Sequence, residues 1–257
     1  METIVFLPGY LSPPAGFAAF KEAFAGYRLL EAEPQPTPSR AEEAWRGRIP
    51  EGAHLVAFSE AAVPAVRLVP EVGARSLVLF SPYFRADDAL LARLRALEVA
   101  LELGGREAFV VAAAPWFFGS LLLARGRAQI EAWAEGLAER DLGAWVRGVR
   151  ALGDARKWLR LLKTPVLVAV GAEDVFTPMR YGHEVTEWVP ELKGMLVTVE
   201  GAGHFAPWEN PPEATALAKG FIERYEDFLE GPAHWREEDE EEPAAKPLLR
   251  FEPEAPS

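Results

Sequence analysis

Pro165-Val166-Leu167-Val168-Ala169-Val170 runs into Gly171-Ala172-Glu173-Asp174-Val175-Phe176-Thr177-Pro178, and Met195-Leu196-Val197-Thr198-Val199 runs into Glu200-Gly201-Ala202-Gly203-His204. Each first half is a short apolar, β-branched run of the kind that forms a buried strand, and each second half carries the glycine or proline that ends one. An acid, Asp174, and a histidine, His204, thus stand at the ends of consecutive strands, 30 residues apart. At the carboxyl edge of one sheet, two such side chains can meet.

The same alternation extends outward from this pair. Thr3 to Leu7 is a strand that stops at Pro8-Gly9, and Pro13 to Gly26 reads as helix. Tyr27 to Ala32 is a second strand. It leads into Glu33-Pro34-Gln35-Pro36-Thr37-Pro38-Ser39, where alternate prolines forbid regular hydrogen bonding. A short helix near Arg40 to Arg48, a strand at His54 to Phe58 with a helix close behind it, and a strand at Ser76 to Phe80 follow. Strands alternating with helices predict an α/β protein with a parallel sheet and helices on both faces. Between Arg85 and Leu162 the rhythm changes to amphipathic helical segments at Asp87–Leu103, Arg127–Arg140, Leu142–Leu152 and Asp154–Leu162, which reads as a helical insertion. The alternation resumes with the opening pair of strands, a helix around Arg180 to Val189 between them, and a last helix from Pro212 to about Leu229. Beyond Gly231 lies Arg236-Glu237-Glu238-Asp239-Glu240-Glu241-Glu242 and scattered prolines, too charged to bury a core. The expected organisation is a core of residues 1–84 and 163–230, a helical cap at 85–162, and a disordered, solubilising tail at 231–257.

Composition narrows the function classes. The chain has 257 residues, 49% of them hydrophobic, enough for one large domain with its own core. With 39 acidic against 27 basic residues and a net charge of −12, its surface repels nucleic acid and anionic membranes. The apolar stretch Phe109–Ala124 is interrupted by Pro115, Gly119 and Ser120 and falls short of the ~20 residues that span a bilayer. There is no cysteine for a disulfide or a thiolate metal site, and Met1-Glu2-Thr3 lacks the start of a secretory signal, so a cytoplasmic protein is expected. Few amides, abundant Arg and Glu, and proline-rich loops suit a heat-adapted organism, a bias that GC-rich coding also produces.

Ser59 is the candidate partner for the acid and the histidine. It lies in Ala57-Phe58-Ser59-Glu60-Ala61-Ala62, where a strand turns sharply into a helix and a serine stands clear of the sheet with its neighbouring amides free. The common signature there is Gly-x-Ser-x-Gly, and alanine is small enough to take the place of glycine. Alone, Ser59 reads as a helix cap, Asp174 as a turn residue and His204 as a buried structural histidine. Their order along the chain, Ser, Asp, His at three strand ends, gives them a joint reading. His204 would remove the proton of Ser59, and Asp174 would hold the imidazole in the right tautomer.

On these residues the chain resembles the α/β-hydrolase superfamily. The matching motifs are Asp174-x-x-Thr177-Pro178, Gly203-His204-x-x-Pro207-x-Glu209-x-Pro211 and the strand Ser76-Leu77-Val78-Leu79-Phe80-Ser81-Pro82. The resemblance spans roughly Thr3 to Tyr225 and implies a mostly parallel sheet with the helical insertion as a cap. Ala114-Pro115-Trp116-Phe117-Phe118-Gly119 is similar to a segment of relatives grouped with 3-oxoadipate enol-lactonases and small carboxylesterases. The implied activity is cofactor-free hydrolysis of small or medium carboxylic esters or lactones through an acyl-enzyme on Ser59. Two alternatives are an inactive scaffold that binds a partner or ligand, and cleavage of a carbon–carbon bond by the same three residues.

The chain departs from the family in places. Pro8-Gly9-Tyr10 replaces the usual His-Gly, so by position the amides of Tyr10 and Glu60 would bind the oxyanion. The Glu60 carboxylate suits a helix N-terminus but opposes developing negative charge unless it points away, and it selects against anionic substrates. The family's first two strands are largely absent. Aromatic residues crowd the cap and the segment after His204. Trp116, Phe117, Phe118 and Phe205 read either as an apolar acyl pocket or as glue between cap and core. His183-Glu184-x-x-Glu187 lacks the second histidine of a zinc-protease helix, so no metal is expected, and His54 and His234 read as structural or solvated.

Overall fold

Strands β1 (Thr3–Leu7), β2 (Arg28–Glu31), β3 (His54–Phe58), β4 (Ser76–Phe80), β5 (Val166–Gly171) and β6 (Gly194–Val199) form one sheet in the order β2-β1-β3-β4-β5-β6. Every neighbouring pair is parallel. The computed structural model describes residues 1–14, 17–190 and 193–228, so the acidic tail and His234 lie outside the described residues. β1, β3 and β4 have the bounds read from the sequence, and the other strands differ from that reading only at their ends.

The period-2 alternation of a strand sorts the apolar side chains into two layers. Ile4, Phe6, Val56, Phe58, Val78, Phe80, Leu167 and Ala169 face one layer, shared with helix α1 (Ala18–Ala23) and with α10 (Pro211–Glu223). Val5, Leu7, Leu55, Ala57, Leu77, Leu79, Val166 and Val168 face the other, shared with α2 (Pro38–Trp45), α3 (Ala62–Val72) and α8 (Met179–Trp188). Both faces are covered, which explains why β3, β4 and β5 read as continuous apolar runs. α2 starts within the proline-rich segment: Pro38 takes the first helical position, where its missing amide hydrogen costs nothing, and Thr37 caps the helix by accepting from the Arg40 amide.

The segment between β4 and β5 is helical, as expected, with α4 (Asp88–Phe117), α5 (Ser120–Arg125), α6 (Arg127–Gly136), α7 (Leu142–Arg150) and a 3-10 helix at Arg156–Leu161. Two helices merge in α4 across a break at Gly105, whose φ of 64° and ψ of −156° suit glycine. The part of α4 beyond this break was not evident as helix, because Gly104-Gly105 reads as a stop and Phe109 to Phe117 is apolar on every side. α1 is shorter than the helix expected over Pro13–Gly26, and the last helix ends at Glu223, before a 3-10 turn at Tyr225–Phe228. No helix among the described residues is long and apolar enough to cross a membrane.

Tyr10, Ser59, Asp174 and His204 follow β1, β3, β5 and β6 respectively, so the carboxyl edge of the sheet gathers every residue singled out for chemistry. The last two strand ends are pressed together. A methyl group on Gly171 would overlap the carbonyl oxygens of Gly203 and Ala202, and one on Gly203 would stand 2.5 Å from the Gly119 nitrogen. Gly171→Ala is therefore expected to destabilise the protein by about 3 kcal/mol or more, since rigid backbone must shift. Urea unfolding of the variant tests this, and a loss below about 1 kcal/mol would contradict the close approach.

Candidate active site

Ser59 opens a 3-10 turn, Ser59–Ala61, between β3 and α3. Its φ of 57° is in the left-handed region that non-glycine residues seldom adopt, a strain of order 1–2 kcal/mol that the surrounding sheet and helix impose. Pro64 lies in the first turn of α3, where a missing amide hydrogen is tolerated. The turn lifts Ser59 Oγ to 2.9 Å from His204 Nε2. On the far side of the imidazole, Nδ1 stands 2.9 Å from Asp174 Oδ2 and 2.9 Å from Thr177 Oγ1. With Nδ1 carrying the proton toward Asp174, Nε2 is free to accept the hydroxyl proton of Ser59.

Asp174 is fixed in turn. Its Oδ1 accepts from the Thr177 amide at 2.7 Å, and the Thr177 hydroxyl lies 3.0 Å from Oδ2 and 3.3 Å from the Ser81 carbonyl oxygen. Ser81, also at positive φ (47°), donates from Oγ to the His204 carbonyl at 3.0 Å. Thr177 and Ser81 thus tie the acid and the histidine to the end of β4. The signal for Thr177 was the Asp-x-x-Thr spacing, a side-chain-to-amide turn. For Ser81 there was none.

Of Trp116, Phe117, Phe118 and Phe205, three pack ring against ring. Trp116 is half-buried, while the other three are buried in one aromatic stack. Phe117 meets Phe205 at 5.3 Å, Phe176 at 4.5 Å and the His204 ring at 5.2 Å, and Phe118 packs edge-on against Trp133. The Phe117 carbonyl accepts from the His204 amide at 2.8 Å. These rings glue the helical segment to the sheet and wall in the imidazole.

Of the two amides expected to bind an oxyanion, that of Tyr10 has a partner in this structure. The Glu60 side chain does not point away: its Oε1 accepts from the Tyr10 amide at 2.5 Å and from Trp145 Nε1 at 3.1 Å. The amide expected to be free for an oxyanion therefore holds a carboxylate. Gly9 leaves room for this inward turn, since a Cβ there would come within 3.3 Å of Glu60 Oε2 and 3.1 Å of the Phe58 ring. Arg140, stacked 5.3 Å from the centre of the Tyr10 ring, faces this carboxylate; burial depresses its guanidinium, while Tyr10 and Glu60 oppose that fall.

No protein-family model matches the sequence, and no curated protein matches it. Solved structures do. A thermophilic esterase from Thermogutta terrifontis superposes with a TM-score of 0.73 at 18% identity, covering 88% of this chain and 90% of its own. An alpha/beta hydrolase from a Medee basin deep-sea metagenome library gives 0.71 at 20%, covering 86% and 89%. The enol-lactonase from Burkholderia xenovorans LB400 gives 0.70 at 18%, covering 90% and 92%. The chain has the α/β-hydrolase fold.

Within this α/β-hydrolase fold, one further carboxylate holds the histidine loop. Glu209, in α9 (Ala206–Glu209), accepts from the amides of Gly119 (2.7 Å), Gly203 (3.1 Å) and Phe205 (3.1 Å). It thereby joins the end of α4 to both sides of His204. The motif around Gly203 contained this glutamate without revealing what it binds. The His183-Glu184 pair has a different use: Glu184 Oε1 accepts from Arg85 and Arg156 in an ion-pair network.

Burial pushes the Glu209 carboxyl up to about 7, against the pull of its three amide donors. Below its ordinary value of 4.5 the group is neutral in folded and unfolded chains alike. As pH rises to about 7 the unfolded chain releases the proton first, so stability falls by up to about 3 kcal/mol, at about 1.4 kcal/mol per unit. Glu209→Gln lacks this titration. The stability of wild type relative to the variant is expected to decline over that window in urea unfolding, and a flat difference would show that the carboxyl titrates normally.

Proposed function

We propose that the protein is a serine hydrolase that cleaves small or medium carboxylic esters or lactones through an acyl-enzyme on Ser59. The observation that carries this reading is the unbroken hydrogen-bonded line from Ser59 Oγ through His204 to Asp174, each link 2.9 Å long, at the carboxyl edge of the sheet. Supporting it, the fold is shared with an esterase from Thermogutta terrifontis and an enol-lactonase from Burkholderia xenovorans.

In this mechanism Ser59 Oγ attacks the carbonyl carbon as its proton passes to His204 Nε2, and Asp174 stabilises the imidazolium. The carbonyl oxygen becomes an oxyanion, for which the amides of Tyr10 and Glu60 are the donors by position. His204 then returns its proton to the departing alkoxide as the carbon–oxygen bond breaks, leaving Ser59 acylated. Water attacks the acyl carbon with His204 as base, and the acid departs as Ser59 regains its proton. An apolar acyl group is expected to meet aromatic surface near the imidazole, where Phe117 and Phe176 flank the His204 ring. Lactones follow the same path with alkoxide and acyl group joined. The helical segment serves as a cap.

A second reading, an inactive scaffold that binds without turnover, is favoured by the Tyr10 amide being held by Glu60. Reactivity separates the two. A fluorophosphonate probe is expected to label the wild type and not Ser59→Ala, and p-nitrophenyl ester turnover is expected to fall at least about 10³-fold in His204→Ala. Equal labelling of wild type and Ser59→Ala, or turnover that survives in His204→Ala, would overturn the hydrolase reading.

A further inference from the structure

The carboxylate on the Tyr10 amide sits where the proposed reaction needs a donor. A charge-assisted N–H···O⁻ bond is roughly twice as strong as the bond the same amide would give a neutral ester carbonyl. A substrate arriving at Ser59 does not displace Glu60 by competing for that hydrogen alone. Once an oxyanion begins to form, the two negative groups repel each other in a site from which water is excluded, where Ser59 is 3% exposed and Glu60 4%. The carboxylate needs a second resting place.

The structure contains one. Tyr83, just after β4, is fully buried, and among the described residues its hydroxyl has no partner at full hydrogen-bond geometry, although Ser59 and Glu60 are near enough to act on it. An orphaned buried donor costs about 1–3 kcal/mol. Burial raises the phenol well above its ordinary value, the nearby Glu60 carboxylate raises it further, Tyr181 adds to this, and Ser59 opposes it. Tyr83 therefore keeps its proton and stays a donor. Both hydrogen bonds of Glu60 fall on Oε1, from the Tyr10 amide and from Trp145 Nε1. The lone pairs of Oε2 are thus left for a further donor.

We propose that Glu60 is the resting occupant of the oxyanion site and that Tyr83 is the positioning residue that takes it over: in turnover the carboxylate leaves the Tyr10 amide and pairs with the Tyr83 hydroxyl. The inference rests on the hydrolase reading above. Trp145 follows the carboxylate as a common donor, and no covalent bond or proton changes hands. The arrangement makes the site select against anionic acyl groups, and it couples oxyanion formation to release of the amide.

The test uses the full chain and four variants, Glu60→Ala, Glu60→Gln, Tyr83→Phe and the Glu60→Ala/Tyr83→Phe double variant, with neutral p-nitrophenyl esters and the rate of fluorophosphonate labelling. Glu60→Ala is expected to raise kcat about tenfold, and Glu60→Gln by less, because its neutral oxygen still accepts from Tyr10 but more weakly. Tyr83→Phe is expected to lower kcat about tenfold with little change in KM. In the Glu60→Ala background the same Tyr83→Phe change is expected to cost nothing, which a merely structural tyrosine would not show. If wild type labels and turns over but neither Glu60 variant is faster, or if Tyr83→Phe costs the same factor in both backgrounds, the proposal falls and the hydrolase reading stands. If no variant labels or turns over, both fall together.

Discussion

The geometry of the site depends on how closely the loop bearing His204 is pressed against the end of β5. Its backbone is held from the sheet side, where the Glu173 amide donates to the Ala202 carbonyl at 2.8 Å and Gly171 leaves no room for a side chain. From the other side the Phe117 carbonyl takes the His204 amide, and Glu209 bridges Gly119, Gly203 and Phe205. Backbone hydrogen bonds and a backbone approach combine with side-chain clamps, Glu209 and Ser81, that grip the main chain. The imidazole thus inherits its position from a tightly held main chain, and two 2.9 Å contacts stand on opposite ring nitrogens.

The helical segment between β4 and β5 belongs to this frame. Phe117 and Gly119, at the end of α4, supply the acceptor and the donor that fix the histidine loop. Trp133 donates from Nε1 to the Leu11 carbonyl at 2.8 Å, and the Tyr10 hydroxyl accepts from the Asp141 amide at 2.8 Å, so the loop after β1 is tied to the same segment. Displacing these helices would disturb both sides of the site at once. Aromatic rings suit the join because each carries a large apolar area with few rotatable bonds, and the tryptophans add a polar handle.

What was legible in the sequence is what repeats. Strand runs such as His54–Phe58 and Ser76–Phe80 read directly because burial on both faces demands an unbroken apolar run. Asp174 and His204 read from the glycines and prolines around them, since a residue held at a strand end needs a turn to hold it. Ser59 was placed by its junction, and its left-handed φ follows from that sharp reversal. The partners that reach across the fold were illegible. Ser81, Trp145 and Tyr83 lie 123, 85 and 24 positions from the residues they face, His204, Glu60 and Ser59, and no local spacing encodes such pairs. Glu60 was noticed as a carboxylate beside the nucleophile, but the donors it turns to, the Tyr10 amide and Trp145, lie far from it along the chain.

Three buried or half-buried carboxylates share this end of the sheet, and their surroundings separate their roles. Asp174 accepts from a backbone amide and faces the one group, His204, that gains positive charge in the proposed reaction, so its own charge is most useful when the chemistry is under way. Glu209 faces three amides and no cation at hydrogen-bond distance, so burial dominates and its proton is held to about 7; its work is done by the oxygens as acceptors, not by their charge. Glu60 differs from both. Its donors are the Tyr10 amide and Trp145, and the first of these is a group the proposed reaction would need for another anion. Arg140, stacked on the Tyr10 ring, acts on this carboxylate by charge. The arrangement makes sense as a balance that the arrival of a second negative charge can tip.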